Sequence, residues 1–149
     1  MIFDIVERLA LFLNLEIAVQ VGDFADAETM AGPDELAKAQ RLGREDEFPE
    51  VWATSRMILL MEIAATRLMK PIVGSGNMSV GVGINIRHIA ATPVDSKVRA
   101  RATYTGREGK LYAFTIEAFD CGGKVGEGGH TRAIISTERL LAGAAARIK

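Results

Sequence analysis

The chain has almost no cysteine, no Cys/His cluster, little net charge and no long hydrophobic run. Its 149 residues hold a single cysteine, Cys121. One thiol rules out an internal disulfide and fits a reducing, cytoplasmic setting. Gly122-Gly123 follows it, so Cys121 reads as a small residue in a turn. No grouping of Cys and His has zinc spacing, so no metal is expected. The formal net charge of -1 leaves no overall basic footprint for nucleic acid. The apolar run Leu9 to Leu15 is broken by Asn14 and is too short to span a bilayer. Asp4 and Glu7 stand where a secretory leader would be basic, and no small-residue cleavage site follows. Residues 1–14 therefore read as an amphipathic helical extension, packed on the domain or on a partner subunit. No membrane partner is expected, and there is no internal repeat.

What is present suits one globular domain spanning 1–149, long enough for a hydrophobic core. Leu15 to Val21 alternates weakly and predicts a strand, and Ala27 to Met30 a short extended piece. Gly32-Pro33-Asp34 predicts a turn opening a polar helix, Glu35 to Arg41, followed by a charged loop to Pro49. Ala53 to Lys70 is the main helix, capped by Thr54 or Ser55 and ended by Pro71. Met57, Leu60, Met61, Ala64, Ala65 and Leu68 make a broad apolar stripe. Ile58, Leu59 and Ile63 extend it, which predicts a helix buried nearly all round. After the bend Gly74-Ser75-Gly76 the pattern turns to period two. Val80 to His88, Val98 to Tyr104, Leu111 to Asp120 and Lys124 to Ser136 read as strands joined by short turns. Ser136 or Thr137 caps a last helix, Glu138 to Ile148. One buried helix followed by sequential antiparallel strands gives an α+β domain with its sheet curled around the helix.

Two polar residues sit where this pattern demands apolar ones. Glu62 lies inside Met57 to Ala65, a run otherwise without charge. His88 falls in phase with Val80, Val82, Ile84 and Ile86, while Gly81, Gly83, Asn85 and Arg87 hold the other parity. A carboxylate and an imidazole in apolar surroundings have shifted pKa values and can move protons. Neither Arg56 nor Arg67 stands four residues from Glu62, so a functional role outweighs a surface pair. Taken alone, His88 would be a core histidine bonded to a carbonyl. It sits close to Ala90-Ala91-Thr92-Pro93, at a sheet end where a pocket can open. Thr54 reads first as a cap. Gly81 and Gly83 mark a bulge, a close ligand approach or room for a packed helix. A free N–H there can bind an oxyanion. His130 and Arg132 share a parity on the last strand, and Arg132 suits a phosphate, a carboxylate or a surface ion pair. Lys97, Arg99 and Arg101 read as a solvated outer sheet face.

Four segments together closely resemble the fluoroacetyl-CoA thioesterase-like family of hot-dog proteins. They are Phe48-Pro49-Glu50-Val51-Trp52-Ala53-Thr54, Leu60-Met61-Glu62, Val82 to Pro93, and Gly126 to Ala133. The likeness runs from about Val21 to Leu141. It implies a long helix wrapped in an antiparallel sheet, a homodimer, and acyl-CoA sites at the subunit interface; dimer and tetramer are left open by the sequence. It implies that Thr54, Glu62 and His88 are catalytic, that Gly81 binds the oxyanion, and that Arg132 lies in the active site. Phe48 falls where the fluoroacetyl specialist has a lid, and Trp52 replaces a smaller aromatic, reshaping the acyl pocket. These four make up the expected substrate-binding set.

The expectation is therefore a thioesterase for short or small acyl-CoAs. Thioester hydrolysis needs a base or nucleophile, a group to orient it, and donors aimed at the oxyanion. Glu62 either orients the imidazole or attacks directly. No cofactor is expected, since coenzyme A is part of the substrate. The alternative is a non-catalytic acyl-CoA or small-ligand-binding module on the same fold. A dehydratase would need its own Asp/His pairing, which the sequence does not show.

Overall fold

A computed structural model describes residues 18–148, together with Ile5, Arg8 and Leu9. Those three are helical, and the rest of the expected N-terminal helix lies outside the described residues. The elements are β1 (Phe24–Ala31), α1 (Thr54–Met69), β2 (Asn77–His88), β3 (Ser96–Glu108), β4 (Leu111–Asp120), β5 (Gly123–Ser136) and α2 (Thr137–Arg147). The five strands form one sheet in the order β1-β3-β4-β5-β2, with every pair antiparallel. This is the expected α+β architecture of a sheet packed on a long helix.

Small side chains set the distance between helix and sheet. Ala27, Ala31, Ala100 and Ala102 are buried on β1 and β3, against Ala64 and Ala65 of α1. Met57, Met61 and Met69 fill what remains, their flexible side chains fitting an uneven gap. Gly126 of β5 lies directly under the Met57 sulfur, where a Cβ would collide. The outer face of β1 and β3 is ionic. Asp26 receives two hydrogen bonds from Arg101, at 2.7 and 2.9 Å, and Lys97 pairs with Glu28 at 3.2 Å. The basic stripe is thus the outer sheet face that the sequence suggested.

Four expectations are corrected. The strand expected over Leu15 to Val21 does not form across 18–21; the chain turns there, with Gly22 at φ 96°, and pairs only from Phe24. The polar helix Glu35 to Arg41 is instead two short 3-10 turns, Pro33–Glu35 and Ala37–Gln40. Between them Leu36 is extended, bridges Trp52 and is buried. Burying that one leucine wins over a helix too short to hold itself. α1 is not buried all round, because Leu59 on its outer face is 45% exposed. Nor do Thr54 or Ser55 cap it: Ala53 holds the N-cap position with no side-chain bond. The last helix is capped as expected, by Ser136 Oγ accepting from the Arg139 N–H.

Candidate active site

Thr54 is the first residue of α1, after the Ala53 N-cap, and its hydroxyl is engaged across the fold. Oγ1 lies 2.8 Å from His88 Nδ1. The segment before α1 is tied to the segment after β2 by Trp52 N–H donating to the Thr92 carbonyl at 2.8 Å. Thr92 is fully buried and donates its hydroxyl to Asp120 at 2.7 Å. Those ties bring the start of α1 against the end of β2. There Trp52 meets the His88 ring edge-on, with centroids 6.4 Å apart. Thr54, His88, Trp52 and Phe48 line one hollow of about 420 Å³, with Val51, Ile89 and Ala90 among its apolar walls. Phe48 is half exposed at its mouth. A separate hollow near Leu68 and Phe24 holds none of the expected site residues.

Burial pushes the His88 pKa below its ordinary value, and the Ala90 backbone pulls it partly back. The imidazole is then neutral at pH 7. Among the described residues its Nε2 is buried without a hydrogen-bond partner, as is Trp52 Nε1. Such an orphaned atom costs about 1–3 kcal/mol, which makes these two exceptions in need of a reason. If Nδ1 carries the proton it donates to Thr54 Oγ1, and Nε2 is a free base. In the other tautomer Nδ1 accepts the threonine proton.

A second cluster forms farther along α1. Glu62 Oε1 stands 3.9 Å from Arg132 Nη1. Arg132 is 5% exposed, whereas the Glu62 side chain is 37% exposed. The apolar run around Glu62 thus misled in one respect: the carboxylate is only partly covered, and its ion-pair partner comes from β5. Arg132 also donates from Nε to Ser79 Oγ at 3.1 Å and from Nη2 to the Ser79 carbonyl at 2.9 Å. Its Nη1 meets His130 Nε2 at 3.1 Å. The guanidinium is turned inward onto protein groups. Gly81 completes the cluster, since a Cβ there would run into the Glu62 carboxylate and come within 3.3 Å of His130 Cε1. Of the readings open for Gly81, room for a group from the helix is the one seen.

A bulge at Val82 builds this arrangement. The register shifts between Gly81, opposite Arg132, and Gly83, opposite Thr131. Strict alternation had put Gly81 on the face away from His88. The extra residue returns Gly81 to the face of Ile84, Ile86 and His88. His130 and Ser79 received no role from the sequence; the shared parity of His130 with Arg132 was the available signal.

The expected residues therefore gather in two places: Thr54, His88, Trp52 and Phe48 in one, Glu62, Gly81 and Arg132 in the other. Thr54 and Glu62 are eight residues apart, about 12 Å along the helix axis. Among the described residues no group of three metal-binding side chains occurs, and no helix is long and apolar enough to cross a membrane.

Comparison with known proteins bears on this geometry. Residues 34–138 match the family model described as fluoroacetyl-CoA-specific thioesterase. A fluoroacetyl-CoA thioesterase from Streptantibioticus cattleyicolor is 40% identical over 96 residues, 64% of this chain and 69% of the relative. The structure of a fluoroacetyl-CoA thioesterase superposes with a TM-score of 0.83 at 30% identity, covering 89% of this chain and 100% of that one. A mutant of such an enzyme, in complex with fluoroacetate and CoA, gives 0.77 at 32% identity, covering 82% and 99%. The curled antiparallel sheet on its helix is the hot-dog fold.

Proposed function

Because the chain belongs to the fluoroacetyl-CoA-specific thioesterase family, we propose that it hydrolyses the thioester of small acyl-CoAs at a site shared by two copies. The observation that carries the reading is the Thr54–His88 pair at 2.8 Å on the wall of an apolar hollow, with His88 Nε2 unpartnered. A half-buried neutral imidazole with one free nitrogen is what a general base requires. The crystallised relative with CoA supports the substrate class.

Within one chain the Glu62 cluster lies about two helical turns along α1 from that pair. β2 ends the sheet as an open edge, and exposes Met78, Val82 and Ile84. Leu59 exposes a further apolar surface on α1. An edge strand that pairs on one side only among the described residues, with apolar side chains exposed, suits a second copy running antiparallel. Such a copy carries its Glu62 and Gly81 toward the first copy's Thr54 and His88. In the proposed reaction His88 takes a proton from water as the water oxygen bonds to the acyl carbon. The C–S bond breaks, and the sulfur leaves with the proton. Glu62 of the second copy favours the imidazolium formed meanwhile, and the Gly81 N–H receives the oxyanion. Phe48 gates the entrance, Trp52 bounds the acyl group, and Arg132 holds Glu62.

The test is thiol release across acyl-CoAs of rising chain length. Short chains should turn over, and His88→Ala and Glu62→Ala should each lower kcat by about 10²–10⁴-fold with the fold intact. CoA binding by calorimetry without thiol release from any acyl-CoA would instead mark a ligand-binding module.

A further inference from the structure

His130 is buried more deeply than either acid–base candidate. It is 3% exposed, on β5 between Phe114 of β4 and the bulged part of β2. Its Nδ1 lies 2.7 Å from the Gly83 carbonyl oxygen. A carbonyl only accepts, so Nδ1 carries a proton. Its Nε2 faces Arg132 Nη1 at 3.1 Å. A guanidinium only donates, so Nε2 is unprotonated. Both ring nitrogens are thereby assigned, and the ring is the neutral Nδ1–H tautomer. Burial, opposed by the Gly83 carbonyl and reinforced by the Arg132 charge, lowers its pKa in the same sense.

The consequence reaches Glu62. Ser79 takes one N–H from Arg132 Nε and one from Nη2. His130 takes one from Nη1, on the side of the guanidinium where Glu62 stands at 3.9 Å. Three acceptors on two strands fix the plane of the guanidinium, and with it the place where a half-exposed carboxylate is held. Without the His130 acceptor, Nη1 can swing toward Gly83 or away from Glu62. We propose that His130 is a positioning residue for Glu62, acting through the Arg132 guanidinium. The proposal rests on the reading of Glu62 as part of the thioesterase site.

Two substitutions separate its two hydrogen bonds. In His130→Asn the amide N–H₂ can keep the bond to Gly83 while the acceptor for Arg132 is lost. In His130→Gln the longer side chain can present its oxygen to Arg132. The Asn variant should lose about a hundredfold in kcat, the effect of a misplacement near 1 Å, with KM for a short acyl-CoA little changed. The Gln variant should recover most of kcat at equal or lower thermal stability. Wild-type kcat in the Asn variant overturns the proposal. So does an equal loss in both variants that merely tracks their melting temperatures. ¹⁵N NMR of the imidazole supplies a readout free of turnover. A neutral Nδ1–H ring, with an Arg132 guanidinium N–H protected in wild type and the Gln variant but exchanging fast in the Asn variant, supports the arrangement. An Nε2–H or doubly protonated ring overturns it. Absence of thiol release by wild type would sink the thioesterase reading alone, leaving the spectrum to decide the arrangement.

Discussion

Replacing Gly81 by alanine tests the Glu62 cluster at its tightest point. The added methyl would fall inside the space of the Glu62 carboxylate, 3.3 Å from His130 Cε1. His130 is packed under Phe114 and cannot retreat, so the carboxylate must move, by about 1 Å to reach ordinary contact. It already stands 3.9 Å from Arg132 Nη1, so that shift breaks the pair. Stability should change little. A carboxylate at the end of a flexible side chain moves cheaply, and alanine in a strand recovers about 0.5–1 kcal/mol of chain entropy relative to glycine. The rate should change much, because displacing a reacting or orienting group by about 1 Å costs roughly 10²-fold. Gly83→Ala is the control. It lies on the same strand but meets the Thr131 hydroxyl at 3.0 Å, away from Glu62. Thiol release and thermal melting of both variants give the comparison. A Gly81→Ala enzyme with the kcat of Gly83→Ala would show that the position of Glu62 does not matter to turnover, and the role assigned to that cluster would fall.

Two more outcomes can be stated. Leu59→Glu places a charge on the exposed outer face of α1 and should leave the monomer folded. On the proposed shared site it should reduce the mass in light scattering from a dimer's, twice 16.1 kDa, to 16.1 kDa and abolish thiol release; a fully active monomer would refute the shared site. For pH, both histidines have pKa values lowered from 6.5 by burial. The unfolded chain therefore binds protons at a higher pH than the folded one. Their contribution to stability is whole above pH 6.5 and is lost as pH falls from there toward the folded values. Urea midpoints should drop between pH 7.5 and 5.5, and kcat should fall as His88 gains its proton. A midpoint that rises on acidification over that window would contradict the burial of neutral imidazoles.

Much of the fold was legible because its elements announce themselves locally. Pro71 ends α1, Gly74 and Gly76 turn the chain at φ 79° and 75°, and Ser136 caps α2. The failures have a common cause. Leu36 left its helix for a partner sixteen residues away, and Thr54, expected as a cap, stands one position inside the helix and meets a partner thirty-four residues away. Local preference amounts to about 1 kcal/mol per residue, and one burial or one hydrogen bond across the fold outweighs it.

The sequence by itself determined the class of the domain, the helix that carries Thr54 and Glu62, and the eight-residue interval between them, since rise per residue follows from the chain alone. Only the folded chain decided which of these groups meet. The Val82 bulge moved Gly81 across the sheet, the register of β5 set Arg132 opposite it, and His130 gained Arg132 and Gly83 as its two partners. Period-two alternation has no term for an extra residue, and strand register is fixed by pairing between segments some fifty positions apart.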